Sequence, residues 1–417
     1  MINDRRRASG TIGAAVASPE RVTFLSLFTS REFATLWLAG AQSQIGDQLA
    51  RVALSVLVFD RTGSGLATAA TYALTLLPAV VGGVVLTGLA DRYPRRTLIV
   101  VCDGLRAVLF ALMAIAALPL PVLCVLLVAA VLCGSPYNAA EPAIVADMYQ
   151  GDAYTAAIGV RTATVQTAQL IGFAAGGLVV ALTGAHTALA IDAATFAVSA
   201  VLLQIGLVYR PAVATVARHG LEQIRIGFRT VAGDRRLRLL LALAWLAAFW
   251  TIPEGLAAPY ASAHGGGPTS VGILLAANPA GNLIGVVVLT RWVPTALRPR
   301  LLGLLAIASG LPLILCGLGP GIAVTTVLWG LSGLLSAYLV LIVTEFVAIV
   351  PPNVRGQAIG LASSGLLAAQ GIGLLIGGGI ASLWAVGPTI AVAGVAGSLV
   401  AVPLAVARRQ SGTAPPG

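Results

Sequence analysis

The stretch GGVVLTGLADRYPRRTLIV, residues 82–100, sets one Asp and three Arg within six positions, Asp91 to Arg96, between long runs almost free of charge. The rest of the chain limits what those charges can mean. Of 417 residues, 58% are hydrophobic and only 10% charged, and the mean hydropathy is +0.94. A water-soluble core of ordinary composition cannot hide that much apolar surface, so the solvent is lipid.

Dividing the chain at Gly, Pro and Arg clusters gives apolar segments near 33–59, 65–90, 98–118, 121–147, 155–184, 187–208, 238–261, 269–293, 301–318, 320–347, 356–384 and 386–407. Most reach the roughly 20 residues that a helix needs to cross about 30 Å of hydrocarbon. The expected fold is therefore an all-α membrane protein with twelve transmembrane helices, and its obligatory partner is the lipid bilayer. Frequent Gly inside the runs suits helices packed closely on one another.

The pI of about 10.2 raises the possibility of a nucleic-acid partner, which the placement of the basic residues argues against. All 25 are Arg. With the N-terminus inside, 21 fall in the tails and even-numbered connections, one (Arg61) in an outer loop, and three (Arg51, Arg106, Arg161) within spans. That bias orients the chain with both termini cytoplasmic, and Arg5 to Arg7 read as an orientation signal. TIGAAVAS (11–18) is too weakly apolar for a cleavable signal, so the first span does the targeting, to the cell membrane.

Several chemistries drop out. Without Lys the chain has no Walker A loop. GIGLLIGGG (371–379) lies in an apolar span with no preceding strand and reads as a packing face rather than a nucleotide loop. Cys102, Cys124, Cys133 and Cys316 form no CxxC pair, and His186, His219 and His264 lie in loops or at span ends. No metal set, cofactor motif or hydrolytic triad is present in the pattern, so no enzyme activity is expected.

A shift of 201 residues aligns Pro78-Ala79 with Pro279-Ala280, Tyr137 with Tyr338, and AQLIGFAAGG (168–177) with AQGIGLLIGG (369–378). One register shared across about a hundred residues predicts two copies of a six-helix unit in the same orientation. It pairs the packing glycines Gly172, Gly176 and Gly177 with Gly373, Gly377 and Gly378. The expected organisation is a tail (1–30), a first lobe (31–208), a linker (209–237), a second lobe (238–407) and a tail (408–417). In the linker Leu221, Ile224, Phe228 and Val231 recur at helical spacing, which predicts an amphipathic helix on the cytoplasmic membrane surface.

GLADRYPRR (88–96), a Gly, then Asp-Arg, then a basic pair, resembles the loop signature of the major facilitator superfamily. IGDQLARVALSVLVFDRTGS (45–64), CDGLRAVLF (102–110) and AIDAATFAVSAVLL (190–203) resemble the branch of macrolide-efflux and enterobactin-exporter-like proteins. The resemblance implies a cytoplasmic gate built from Gly88, Asp91, Arg92, Arg95 and Arg96, with Asp103 and Arg106 close beneath it and Arg355 at the start of span 11. It departs from the family pattern where LTRWVPTALRPR (289–300) carries no acid, where Phe173 stands in place of a Pro, and where span 4 lacks the family's Arg signature.

Acids inside a membrane are costly enough to be functional candidates. In the fold that the resemblance implies, spans 1, 4, 7 and 10 line the cavity, and they carry Asp47, Glu141, Glu254 and Glu345. Asp47 and Arg51, four apart, are expected to pair, either as a stabilising ion pair or as part of a coupling site. Glu141 has Arg161 as a candidate partner, and Glu254 has no cation at helical spacing in its own span. Phe249, Trp250, Tyr137 and Tyr338 are expected to line the cavity. These features predict a monomeric secondary transporter, a proton-coupled exporter of amphipathic small molecules. Import or facilitated diffusion of a metabolite, and a non-transporting receptor on the same fold, remain open alternatives.

Overall fold

The computed structural model describes residues 24–211 and 220–412, and the chain is helical nearly throughout. Arg5 to Arg7, His219 and the chain ends lie outside the described residues. The long helices are α1 (Arg31–Thr62), α2 (Gly65–Val85), α3 (Arg95–Met113), α4 (Leu120–Met148), α5 (Gly151–Thr183) and α6 (Ala185–Gly206). A linker helix, Gly220–Gly233, leads to α7 (Arg235–Gly255), α8 (Pro268–Arg291), α9 (Arg298–Leu318), α10 (Ile322–Ile349), α11 (Arg355–Ala381) and α12 (Val386–Gln410). Ten of them are long and apolar enough to cross a membrane. The other two, α1 and α3, have the length but carry Asp47 and Arg51, and Asp103 and Arg106.

Local chemistry fixes the ends. Ser30 caps α1 by accepting from Phe33 N at 3.4 Å. Gly63 ends it at φ 62°, a left-handed conformation that disfavours a Cβ, with its N–H donating to the Phe59 carbonyl at 2.7 Å. Arg61, at that end, donates to the carbonyls of Leu118 (2.7 Å) and Ala116 (2.9 Å). The opposite face carries most of the remaining Arg.

Four of the long helices, α2, α7, α9 and α10, are interrupted, and those in α2 and α7 break next to polar residues that face each other. In α2 the helix stops at Ala73 and restarts at Leu77, ahead of Pro78. In α7, Pro253-Glu254-Gly255 closes one helix, and a second, Ala257–Ala263, continues past Leu256. Proline cannot donate to the helical ladder, so such breaks free backbone groups that neighbours or a cavity must satisfy.

The shift of 201 residues holds for the helices themselves. It carries α4 to 321–349, against Ile322–Ile349 for α10, and α6 to 386–407, against Val386–Gln410 for α12. Packing repeats too. A Cβ on Gly172 would lie 2.7 Å from the Ile45 carbonyl of α1, and one on Gly373 2.4 Å from the Ala248 carbonyl of α7. A Cβ on Gly177 would lie 2.7 Å from Gly272 Cα of α8, and one on Gly378 2.7 Å from Ala69 Cβ of α2. Thus α5 stands to α1 and α8 as α11 stands to α7 and α2. Gly176 and Gly377 meet Leu49 and Ile252 in the same way. Of these contacts, Gly177–Gly272 and Gly378–Ala69 join residues 31–206 to residues 235–412 at the Arg61 end.

The linker helix packs against α11. A Cβ on Gly227 would lie 2.5 Å from the Gln357 carbonyl, so this helix docks on the start of α11. Val231 is buried, whereas Phe228 is 60% exposed. The side chains of Leu221 and Ile224 lie outside the described residues.

Candidate functional site

A polar cavity of about 240 Å³ lies among α1, α2, α3 and α4, with Leu367 of α11 on its far wall. Asp47, Gln48 and Arg51 line it from α1, Arg106 from α3, and Tyr137 and Asn138 from α4. The expected Asp47–Arg51 pair is not what forms. Arg106 Nη2 donates to both carboxylate oxygens of Asp47, at 2.7 and 2.9 Å, and its guanidinium carbon lies 3.9 Å from the Phe196 ring centroid. The cation is held by a carboxylate on one side and an aromatic face on the other.

The reason is depth. Arg106 lies eleven residues into α3, about 16 Å along the axis, and so reaches the middle of the bilayer rather than the gate loop. Asp103 is likewise remote from Asp91. Its side chain is 1% exposed and accepts from Ser199 Oγ of α6 at 2.5 Å. Asp192, wholly buried, accepts from Thr195 Oγ1 at 3.2 Å. A Cβ on Gly46 would lie 2.2 Å from Asp192 Oδ1, so only glycine lets α1 pass this close to α6. Arg51 is left in the cavity with no carboxylate within 4 Å among the described residues, its guanidinium 5.9 Å from the Tyr72 ring.

Glu254 is reached from the other half. Tyr72 Oη donates to its Oε2 at 2.8 Å, and both residues flank the interruptions in α2 and α7. Thr75 donates to the Tyr72 carbonyl through both its Oγ1, at 2.8 Å, and its backbone N–H, at 3.0 Å. Nothing in the sequence pattern pointed to Tyr72. The break at Pro78 is the legible signal, but the partner across the interface is not.

The remaining candidates separate. Glu141 accepts from Arg161 Nε at 2.8 Å in a neighbouring hollow between α1, α4 and α5. Glu345 does not face the central cavity. It pairs with Arg408 of α12, because it lies on the side of α10 turned toward α9 and α12. Trp250 and Tyr338 do not line the cavity either. Both are buried, Trp250 Nε1 donates to Tyr338 Oη at 3.2 Å, and Tyr338 Oη donates to the Leu243 carbonyl at 3.1 Å.

At the Arg-rich end, Asp91, Arg95 and Arg96 line a hollow of about 470 Å³ with Glu32, Asp147 and Arg210. Arg95 pairs with Asp147 at 2.6 Å, and Arg96 bonds the Gln204 carbonyl. Asp91 and Arg92 are exposed, and Asp91 has no ion pair among the described residues. The expected contact with α11 is not made, since Arg355 turns to the Val350 carbonyl at 3.5 Å. A Cβ on Gly88 would meet nothing within 4 Å. In this conformation the loop is bound to its own half.

The chain thus combines long apolar helices, a repeat in both sequence and packing, and a polar cavity under an Asp-Arg loop. A sequence profile described as Major Facilitator Superfamily matches residues 36–258. The chain belongs to that superfamily. It is a multi-pass membrane protein with the fold of a secondary transporter. The POT family transporter PepTSo superposes with a TM-score of 0.74 at 13% identity, covering 93% of this chain and 99% of that one. A bacterial homologue of the human lysosomal transporter Spinster, inward-facing and unoccupied, gives 0.64 at 17%, covering 91% and 95%. The nucleoside transporter NupG (D323A mutant) gives 0.67 at 15%, covering 91% and 99%. At these identities the likeness is one of fold. No curated protein matches the sequence.

Proposed function

We propose that this protein is a twelve-span, two-lobed exporter of amphipathic small molecules, driven by proton exchange, in the macrolide-efflux and enterobactin-exporter-like branch. It works by alternating access in the cell membrane, with the Arg-rich face and both termini in the cytoplasm. The observation that carries the coupling is the Tyr72–Glu254 hydrogen bond, 2.8 Å long, between broken helices of opposite halves beside Arg51. A carboxylate at that junction loses Tyr72 when the halves part at the Arg61 end, so its affinity for a proton changes with conformation. Asp47, held by Arg106, is the steadier charge and serves to shape the cavity.

The mixed lining suits the substrate class. Leu54, Leu76, Phe110 and Leu127 offer apolar contact beside Gln44, Gln48 and Asn138. Glu254→Gln keeps an acceptor for Tyr72 but cannot carry a proton. In inverted vesicles it is expected to abolish accumulation driven by a pH gradient while leaving substrate exchange measurable. Full gradient-driven accumulation in this variant would remove the coupling claim.

A further inference from the structure

The repeat relates two hollows at the Arg-rich end, and their charges do not match. Ile144, Asp147, Leu207 and Val208 line the first, and a shift of 201 carries them to Glu345, Ala348, Arg408 and Arg409, which line the second. In the first, Arg95, Arg96 and Arg210 face Glu32, Asp91 and Asp147, three cations against three acids. Arg210 Nη2 lies 2.9 Å from Glu32 and Arg95 lies 2.6 Å from Asp147, so that hollow is internally neutralised.

The second hollow, about 740 Å³ between α7, α9, α10 and α12, is different. Arg236, Arg300, Arg408 and Arg409 line it, and Glu345 is its one lining acid among the described residues. That acid is taken by Arg408, which also donates to the Pro299 carbonyl at 2.8 Å. Among the described residues the buried Nε of Arg408 has no partner. Leu239, Leu240 and Ile349 supply an apolar wall. Orientation in the membrane accounts for Arg at this face, since flat loops carry them equally well. It does not account for four in one concavity after the equivalent hollow has been balanced.

We propose that this second hollow is a binding site for a phosphate-bearing anion, with room for an acyl chain along the Leu239, Leu240 and Ile349 wall. Guanidinium groups match phosphate oxygens in planar, paired hydrogen bonds, and Arg300 and Arg409 beside the Arg408–Glu345 pair make a phosphate monoanion, dianion or phosphodiester the complement. The chemistry is shared by an anionic phospholipid headgroup and by free phosphate.

The test uses the full chain in nanodiscs of phosphatidylcholine with a minor fraction of phosphatidylglycerol, with retained lipid counted by native mass spectrometry. Phosphatidylglycerol is expected to be retained over phosphatidylcholine. Each basic residue near such a surface is worth about fivefold in affinity, so Arg300→Gln with Arg409→Gln should weaken retention about thirtyfold. The corresponding double Lys variant should keep it, and Arg96→Gln in the balanced hollow should not change it. Displacement of the lipid by millimolar inorganic phosphate from the unmodified chain assigns the site to a free anion, and resistance to phosphate assigns it to the headgroup. Equal retention of the two lipids, or unchanged phosphatidylglycerol retention in the double Gln variant, overturns the proposal.

Discussion

Arg106 Nη2 sits 2.7 Å from Asp47 Oδ1 while its guanidinium carbon lies 3.9 Å from the Phe196 ring centroid, tying α1, α3 and α6 together at mid-depth. It is the cation that holds the centre of the first half. Asp103 and Asp192, both buried, pack around the same junction.

Removing Arg106 therefore leaves buried carboxylates without a counter-charge. Arg106→Gln is expected to destabilise the protein by about 1–3 kcal/mol, since the half-buried Asp47 loses its hydrogen-bonded cation and the buried Asp103 and Asp192 lose the charge beside them. The check is the melting temperature in detergent against Arg51→Gln. Among the described residues Arg51 has no ion pair within 4 Å, so its substitution should shift melting little and transport strongly. Equal melting of the two variants would show that Arg106 is not the structural cation.

Closure at the Arg61 end depends on backbones in near contact. Gly177→Leu would set a side chain against Gly272 Cα, where even a Cβ falls 2.7 Å away. The halves should be held apart there, and a thiol at position 54 in the cavity should label faster with an impermeant reagent from that side. Gly88→Ala, which meets nothing within 4 Å, is the control and should label at the ordinary rate. Unchanged labelling in Gly177→Leu would mean that α5 and α8 do not form the closing surface.

Asp91 is exposed and unpaired among the described residues, so any contribution it makes belongs to the conformation in which the Arg-rich end closes. Asp91→Asn should leave melting and equilibrium substrate affinity within a few fold and slow turnover severely. Normal turnover would reduce the loop to an orientation signal.

Orientation itself is checked by single thiols in a background free of native Cys. Position 264, where His264 stacks on Tyr260 with ring centroids 4.2 Å apart, should label from outside intact cells. Position 220, at the start of the linker helix, should label only after permeabilisation. The reverse pattern would overturn the topology.

The helices were legible in the sequence because lipid imposes a length and a composition, and the repeat because a constant shift survives divergence at the packing glycines. Helix interruptions at Pro78 and Pro253 were also within reach. Partner choice was legible only in part: Arg161 pairs with Glu141 as expected, at 2.8 Å, but the partners of Asp47, Glu254 and Glu345 could not be read. Asp47 and Arg51 share a helical face, yet geometry gives Asp47 to Arg106, since a cation on a packed neighbour at equal depth competes with one a turn away on the same helix. Counting eleven residues from Arg95 places Arg106 at mid-membrane, and that count, rather than nearness to the Asp91 loop, was the usable signal. Glu345 went astray for the opposite reason. Its helix was expected at the cavity, but one position around that helix turns the side chain to Arg408. Tyr72 as the partner of Glu254 depends on how two halves dock, which no local pattern encodes.

That docking contact admits the most direct test. Tyr72 and Glu254 are 182 residues apart in sequence and 2.8 Å apart through their oxygens, so a double-mutant cycle isolates their interaction. Interhelical hydrogen bonds in membranes average about 0.6 kcal/mol and reach about 1.7, which corresponds to roughly threefold to twentyfold in a conformational equilibrium. Tyr72→Phe should shift the population by that factor toward states open at the Arg61 end, read by labelling of a thiol at position 54. Glu254→Gln retains an oxygen for Tyr72 and should shift it less. The two variants should then diverge in transport: Tyr72→Phe keeps gradient-driven accumulation at an altered rate, whereas Glu254→Gln loses it. If Tyr72→Phe loses coupling as completely as Glu254→Gln, the hydroxyl is part of the proton path rather than a latch. If neither changes labelling or transport, the bond is incidental to the cycle, and coupling must be sought at Glu141 with Arg161.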